Sequence, residues 1–218
     1  AGNKTYEHVD PTTVGNHTRV LISDLGGRAG VRMKADEFGI DLDDETAGRL
    51  AQQVNELEAR GWVFEAADAS LELLMRRATG WTPDFFAIES YRVTSYHREG
   101  VAWPGPGVDL SNEATVKVHI GDDRRMAVGE GNGPVNALDS ALRKALNGHF
   151  PTLSSIHLVD YRVRVLDAAV GTEAVTRVLI ESSDGDRSWF TVGVSENVIE
   201  ASWMALVDSI VYGLLQAS

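Results

Sequence analysis

The sequence predicts an α+β fold: a small helical linker subdomain over residues 1–80, then a pseudo-twofold pair of βββα units over residues 85–150 and 151–218. Three observations carry that prediction. Apolar residues recur at helical spacing before residue 80, "TGWTPD" at 79–84 breaks the pattern, and beyond the break one block of sequence occurs twice.

The helical part comes first. After an irregular start, "VRMKADEFG" sets Val31, Ala35 and Phe38 on one face and ends at Gly39, a residue that tolerates the left-handed C-terminal position of a helix. Asp43 or Asp44 caps the next helix, whose Ala47, Leu50, Val54 and Leu57 form a stripe that stops at Gly61. A third helix carries Leu71, Leu74, Met75 and Ala78 on one side, with Arg76 and Arg77 near its C-terminal end, where cations suit the helix dipole.

The repeat follows. "SYRVTSY" at 90–96 recurs as "DYRVRVL" at 160–166, "ATVKVHIG" at 114–121 as "AVTRVLIE" at 174–181, and "MAVGEGNGPVNALDSAL" at 126–142 as "FTVGVSENVIEASWMAL" at 190–206. Each copy reads strand, strand, strand, helix. Alternation of Tyr161, Val163 and Val165 with Arg162 and Arg164, and of Val116, Val118 and Ile120 with Thr115, Lys117 and His119, predicts half-buried strands. "RRMAVG" and "SWFTVG" supply the third strands.

Pro134 opens an amphipathic helix of Val135, Leu138, Ala141, Leu142 and Ala145, which Asn147-Gly148 stops. In the second copy Ser195 is the expected N-cap of a longer helix. That helix carries Ile199, Trp203, Leu206, Ile210 and Leu214 on one stripe and Met204, Val207 and Val211 beside it, an arc wider than one sheet face covers. Part of it meets either a partner surface or the other half of the same chain. "REGVAWPGPGVDLSNE" at 98–113, an insert in the first copy, reads as a long surface loop.

Composition narrows the function. A net charge of −12 with no basic patch argues against nucleic acid. The absence of cysteine excludes disulfides, thiolate metal sites and cysteine nucleophiles, and is compatible with a reducing cytoplasm. Six histidines without H-x-H or H-x-x-x-H spacing argue against a metal site, and the absence of an apolar run of about 20 residues against a membrane span. The start "AGNKTYEHVD" lacks both a signal-peptide core and an initiating Met, so the chain reads as processed or as a piece of a longer protein.

"VGEGNGPVNA" at 128–137 is the most distinctive stretch. Backbone N–H groups at a helix start favour an anion, but G-x-G-x-G departs from the dinucleotide fingerprint, and the surroundings read as antiparallel. Gly129 recurs as Gly193, which marks it as structural. Gly131 and Gly133 are replaced by Ser195 and Asn197, so they serve something asymmetric, either a local turn or the close approach of a ligand.

At "GNGPVNALDSALRKAL", "DYRVRVL", "GTEAVTRVLIES" and "TVGVSENVIEASW" the chain resembles the C-terminal regulatory domain of citramalate synthases, relatives of 2-isopropylmalate and homocitrate synthases. "TYEHVDPTTVGN", "RVLISDLGGRAGV" and "FEAADASLELLMRRA" are similar to the linker subdomain behind the catalytic barrel in that branch. The resemblance implies a homodimer that binds an amino-acid effector, isoleucine or, in the 2-isopropylmalate branch, leucine, and restrains condensation of acetyl-CoA with pyruvate. It implies no cofactor in this chain. The divalent metal and acetyl-CoA belong to a TIM barrel whose ligand motif is absent here, so the chain alone is not expected to turn over substrate.

Carried onto this sequence, the implied effector site falls between the two βββα units near the dimer interface. It takes in Gly131, Asn132, Gly133 and Val135, then Leu158, Asp160, Tyr161, Val165, Thr172 and Ala174, and finally Ser195, Glu196 and Asn197. Relatives often carry a proline where this chain has Glu196. Elementary chemistry points the same way: N–H groups at 131–133 suit a carboxylate, Asp160 or Glu196 an ammonium, and Val135, Leu158 and Val165 an apolar side chain. Taken singly, Leu158 and Val165 read first as plain core and Asp160 with Tyr161 as an ordinary strand start; only the constellation points to a site. The resemblance also makes His8 and Asn16 candidates for assisting catalysis in a neighbouring barrel, where sequence alone reads His8 as an exposed polar residue.

Overall fold

The computed structural model describes residues 27–97, 110–166 and 174–217. Three helices come first, α1 (Arg28–Glu37), α2 (Asp44–Ala59) and α3 (Asp68–Ala78). Their ends are set locally. Asp43 caps α2 by accepting from the Thr46 N–H at 2.6 Å, and Gly39 and Gly61 take up left-handed backbone, with φ of +66° and +102°, just past α1 and α2.

Two βββα units follow. The first is β1 (Ala87–His97), β2 (Leu110–Ile120), β3 (Asp123–Gly131) and α4 (Pro134–Leu146); the second is β4 (His157–Val165), β5 (Thr176–Ser183), β6 (Ser188–Ser195) and α5 (Val198–Gln216). Each set of strands forms an antiparallel three-stranded sheet in chain order. The repeat extends to an irregularity: β1 shifts register between Ile88 and Ser90, and β4 at the matching place between Leu158 and Asp160.

Gly129 is structural, as its recurrence predicts. A Cβ there would strike the backbone of Ala137 and Ala141 in α4, and one at Gly193 the Ala201 carbonyl in α5. Each helix thus presses onto the third strand of its own unit at a bare glycine.

One core joins the halves, with Val116, Val118, Leu138 and Leu142 from the first and Val178, Ile180, Leu206 and Ile210 from the second. Each such side chain contributes about 1.5–3 kcal/mol by leaving water. Trp203, Leu206, Ile210, Val211 and Leu214 of α5 are all buried within this chain, while Met204 and Val198 stay exposed. Most of the wide apolar arc is therefore buried within this chain, chiefly on β5 and β6 of its own unit, with Trp203 reaching Tyr91 of the first. By length and hydropathy α5 would pass for a membrane span, but over half of it is buried in this core.

The helices α1 to α3 form a second core with the far face of the second sheet, where Val192 is fully buried beside Leu179 and Val194. Ser70 of α3 accepts the outward Val192 N–H of edge strand β6 at 3.0 Å. Arg77 binds Asp208 at 2.7 Å, and the Tyr212 hydroxyl donates to Glu72 at 3.1 Å, so α3 is also fastened to α5. Burial pushes the Asp208 carboxyl above its ordinary range, against the pull of Arg77 and Ser70.

Four expectations need correction. Ser195 ends β6 and is not the N-cap of α5; Asn197 is, accepting the Ile199 N–H at 2.9 Å, because it stands directly before the first helical residue. Residues 110–113 of the expected loop already belong to β2, with Asn112 buried. Gly131 does not form a local turn: it ends β3, and a Cβ there would strike Asn136 and the Ala137 backbone at the start of α4. Nor is β4 half-buried. Val163 and Val165 face the core side, opposite Val178 and Thr176, yet are 46% and 52% exposed, since β4 is an edge strand and α5 lies over β5 and β6.

Candidate ligand groove

The uncovered side of β4 borders a groove of about 1050 Å³, walled by α4 and closed at one end by the link through Phe150 and Ser154. Its existence follows from one break in the repeat. The offset that matches Ala137 with Ala201 also matches Asp139 with Trp203, and the first strands match Tyr161 with Tyr91. Trp203 lies against Tyr91, their ring centroids 4.7 Å apart, and fills the space between α5 and the first sheet. Asp139 is too small to do the same for Tyr161. Both line the open groove.

The polar groups around it are held firmly. Arg143 donates from Nε to both Asp139 oxygens at 2.9 Å, and from Nη1 to the carbonyls of Leu153 and Ile156 at 3.2 and 2.8 Å, tying α4 to the link between the halves. Ser202 donates to the Val198 carbonyl at 2.6 Å, so the Tyr161 hydroxyl donates to Ser202 at 2.7 Å, which fixes the ring on the groove wall. Val135, Phe150, Leu153 and Leu158 supply apolar lining.

The start of α4 opens at the same place. Gly133 is its N-cap, in extended backbone and with no side chain to cap the helix, and Pro134 follows. Val135 and Asn136 of that first turn line the groove, so the positive end of the helix opens onto it. The start of α5 differs: Asn197 caps it, and Ser195 donates to Glu200 at 2.7 Å.

Of the residues implied by resemblance, Val135, Leu158 and Tyr161 come together in the groove. Gly131, Asn132 and Gly133 lead into α4 at its edge; the Asn132 N–H donates to Asn136 Oδ1 at 3.3 Å. Asp160 is engaged elsewhere, with Arg162 at 2.5 Å and the Tyr161 N–H at 2.8 Å. Val165 lies farther along the face of β4 that carries Tyr161, and Ala174 is buried just before β5.

Ser195, Glu196 and Asn197 stand at the pseudo-equivalent position, outside the groove lining of this chain. There burial and the nearby Glu200 raise the pKa of Tyr91. His8, Asn16 and Thr172 lie outside the described residues. Sequence reasoning missed Asn136, Asp139, Arg143 and His157 as lining residues. For Asp139 the signal was available: the repeat sets an aspartate opposite a tryptophan between the matched pairs Ala137–Ala201 and Ala141–Ala205.

Residues 65–214 match the model of the LeuA allosteric (dimerisation) domain, and residues 1–61 that of the homocitrate synthase post-HMGL domain-like family. The chain is 50% identical to an (R)-citramalate synthase of Streptomyces coelicolor over 97% of its own length and 39% of that protein. It is 47% identical to one from Aquifex aeolicus, over 98% of this chain and 40% of the relative. A 2-isopropylmalate synthase of Thermus thermophilus is 31% identical over 94% of this chain and 56% of its own length. The chain thus spans about two-fifths of the length of the citramalate synthases that it matches. With a match over residues 65–214 that takes in α3 and nearly all of the paired βββα units, and a post-HMGL-like segment ahead of it, the chain belongs to the LeuA allosteric (dimerisation) domain family.

Proposed function

We propose that this chain is the regulatory region of a citramalate synthase, and that its groove takes a branched-chain amino acid, isoleucine in preference to leucine, as feedback effector on the condensation of acetyl-CoA with pyruvate. The observation that carries this reading is Asp139 in the place of Trp203, which leaves a ligand-sized space in one half of a repeat and fills it in the other. The free N–H groups at the start of α4 suit the carboxylate, Asp139 the ammonium, and Val135 and Leu158 the hydrocarbon side chain. Citramalate synthases among the relatives, at 47–50% identity against 31% for the 2-isopropylmalate synthase, favour isoleucine over leucine.

A second copy of the chain completes the site. At about 1050 Å³ the groove exceeds what an amino acid fills, and Val163 and Val165 continue its apolar wall in the open. The partner covers them and brings the second wall, Ser195, Glu196 and Asn197. Binding then favours one arrangement of the dimer by about 1–3 kcal/mol and restrains the linker, in which His8 and Asn16 assist a neighbouring barrel.

Calorimetric titration with isoleucine, leucine and valine, beside sedimentation measurement of the dimer, tests the proposal. Isoleucine is expected to bind most tightly. A dimer that takes up none of the three at millimolar concentration would leave a dimerisation module without a ligand, and tighter binding of leucine would move the chain to the 2-isopropylmalate branch.

A further inference from the structure

We propose that Arg164 and Arg177 form an oxyanion site on the outer face of the second sheet, receiving a carboxylate or phosphate where the helical units meet the regulatory fold. The two residues are direct cross-strand partners on β4 and β5, so two guanidinium groups stand side by side. Like charges so opposed destabilise a sheet. Arg76, Arg124, Arg143 and Arg187 each hold a carboxylate, yet among the described residues neither Arg164 nor Arg177 has an ion pair. This occurs in a chain with 32 acidic and 20 basic residues, where acids are plentiful.

Arg177 is the better placed of the two. Its Nε is buried with no acceptor, an arrangement that costs stability unless something arrives to accept the hydrogen bond. Burial, and then the charge of Arg164, lower its pKa. Its other neighbour across the sheet is Val194, which lies with Leu166 beneath the Gly61 turn at the end of α2. The two family matches meet at that turn, between residues 61 and 65. A planar guanidinium offers paired donors to an oxyanion, and two of them bracket one.

The site is independent of the effector groove and can be tested in the same chain. Thermal unfolding is measured in sodium phosphate, sodium succinate and sodium chloride at equal ionic strength, for wild type, R164M and R177M. Methionine keeps the apolar stem and removes the charge. Phosphate, succinate or both are expected to raise the wild-type midpoint above that in chloride, and the ion that acts identifies phosphate or carboxylate as the natural partner. The rise is expected to vanish in R177M and to need at least tenfold more ion in R164M, while in chloride both variants unfold no lower than wild type. An equal midpoint in all three salts, an undiminished response in both variants, or a lower chloride midpoint in both would overturn the proposal.

Discussion

Trp203 on α5 stacks against Tyr91 on β1 with ring centroids 4.7 Å apart, and this contact exists in one half of the repeat only. In the other half Asp139 and Tyr161 stand on the wall of an open groove. A duplicated unit would fold equally well with both spaces filled. The difference between aspartate and tryptophan therefore marks the half that keeps an open groove, where we propose that the effector binds.

Closing the groove should abolish ligand binding without unfolding the domain. In D139W the indole is expected to occupy the space beside Tyr161, and isoleucine affinity measured by calorimetry should fall at least tenfold with the dimer intact. The reverse change, W203A, removes a core side chain only 7% exposed and should cost about 3 kcal/mol or more in denaturant unfolding.

Gly129 and its repeat partner Gly193 should separate from Gly133 by stability. Ala at Gly129 or Gly193 would set a methyl group against helix backbone, at a cost of about 2 kcal/mol or more, since neither strand nor helix can yield without unpacking the other. At Gly133 an added methyl group would have nothing within 4 Å, and the extended backbone there is one that any residue adopts. G133A should therefore cost less than about 1 kcal/mol. Equal losses at all three positions in urea unfolding would contradict that separation.

Ser70 holds the helical subdomain to the edge of the second sheet. S70A strands the buried Val192 N–H and should cost about 1–3 kcal/mol. Hydrogen exchange at the Val192 amide should quicken in that variant while amides in the centre of β2 keep their protection.

Acid stability should register Glu89. The Arg124 guanidinium binds both of its oxygens and holds its carboxyl at about 2, below the ordinary 4.5. A carboxyl lowered on folding adds stability above its unfolded pKa, and that contribution is lost as pH falls through the folded value. E89Q should thus unfold at a lower temperature than wild type near pH 7, and the two should converge below about pH 2. The pair is exposed, so the gap should also narrow in high salt.

Much of the fold was legible because it rests on local rules. Glycines and aspartates punctuate α1 and α2 at Gly39, Asp43 and Gly61, alternation marks β2 and the course, though not the burial, of β4, and the repeat shows that Gly129 and Gly193 have one role. The repeat also contained the asymmetry of Asp139 and Trp203. Its consequence, a groove beside Tyr161, depends on how far α4 stands from β4, which no single stretch encodes.

The sequence by itself determined the succession of three helices and two βββα units, and that Gly131 and Gly133 depart from the symmetry of the repeat. Only the tertiary structure decided what that departure does. Gly131 admits the start of α4 onto β3, α5 buries its wide face within its own chain, and Val163 and Val165 of β4 are left without cover among the described residues. The reason is physical: periodicity fixes which face of an element is apolar, whereas the surface that buries it is chosen by contacts between residues far apart in sequence.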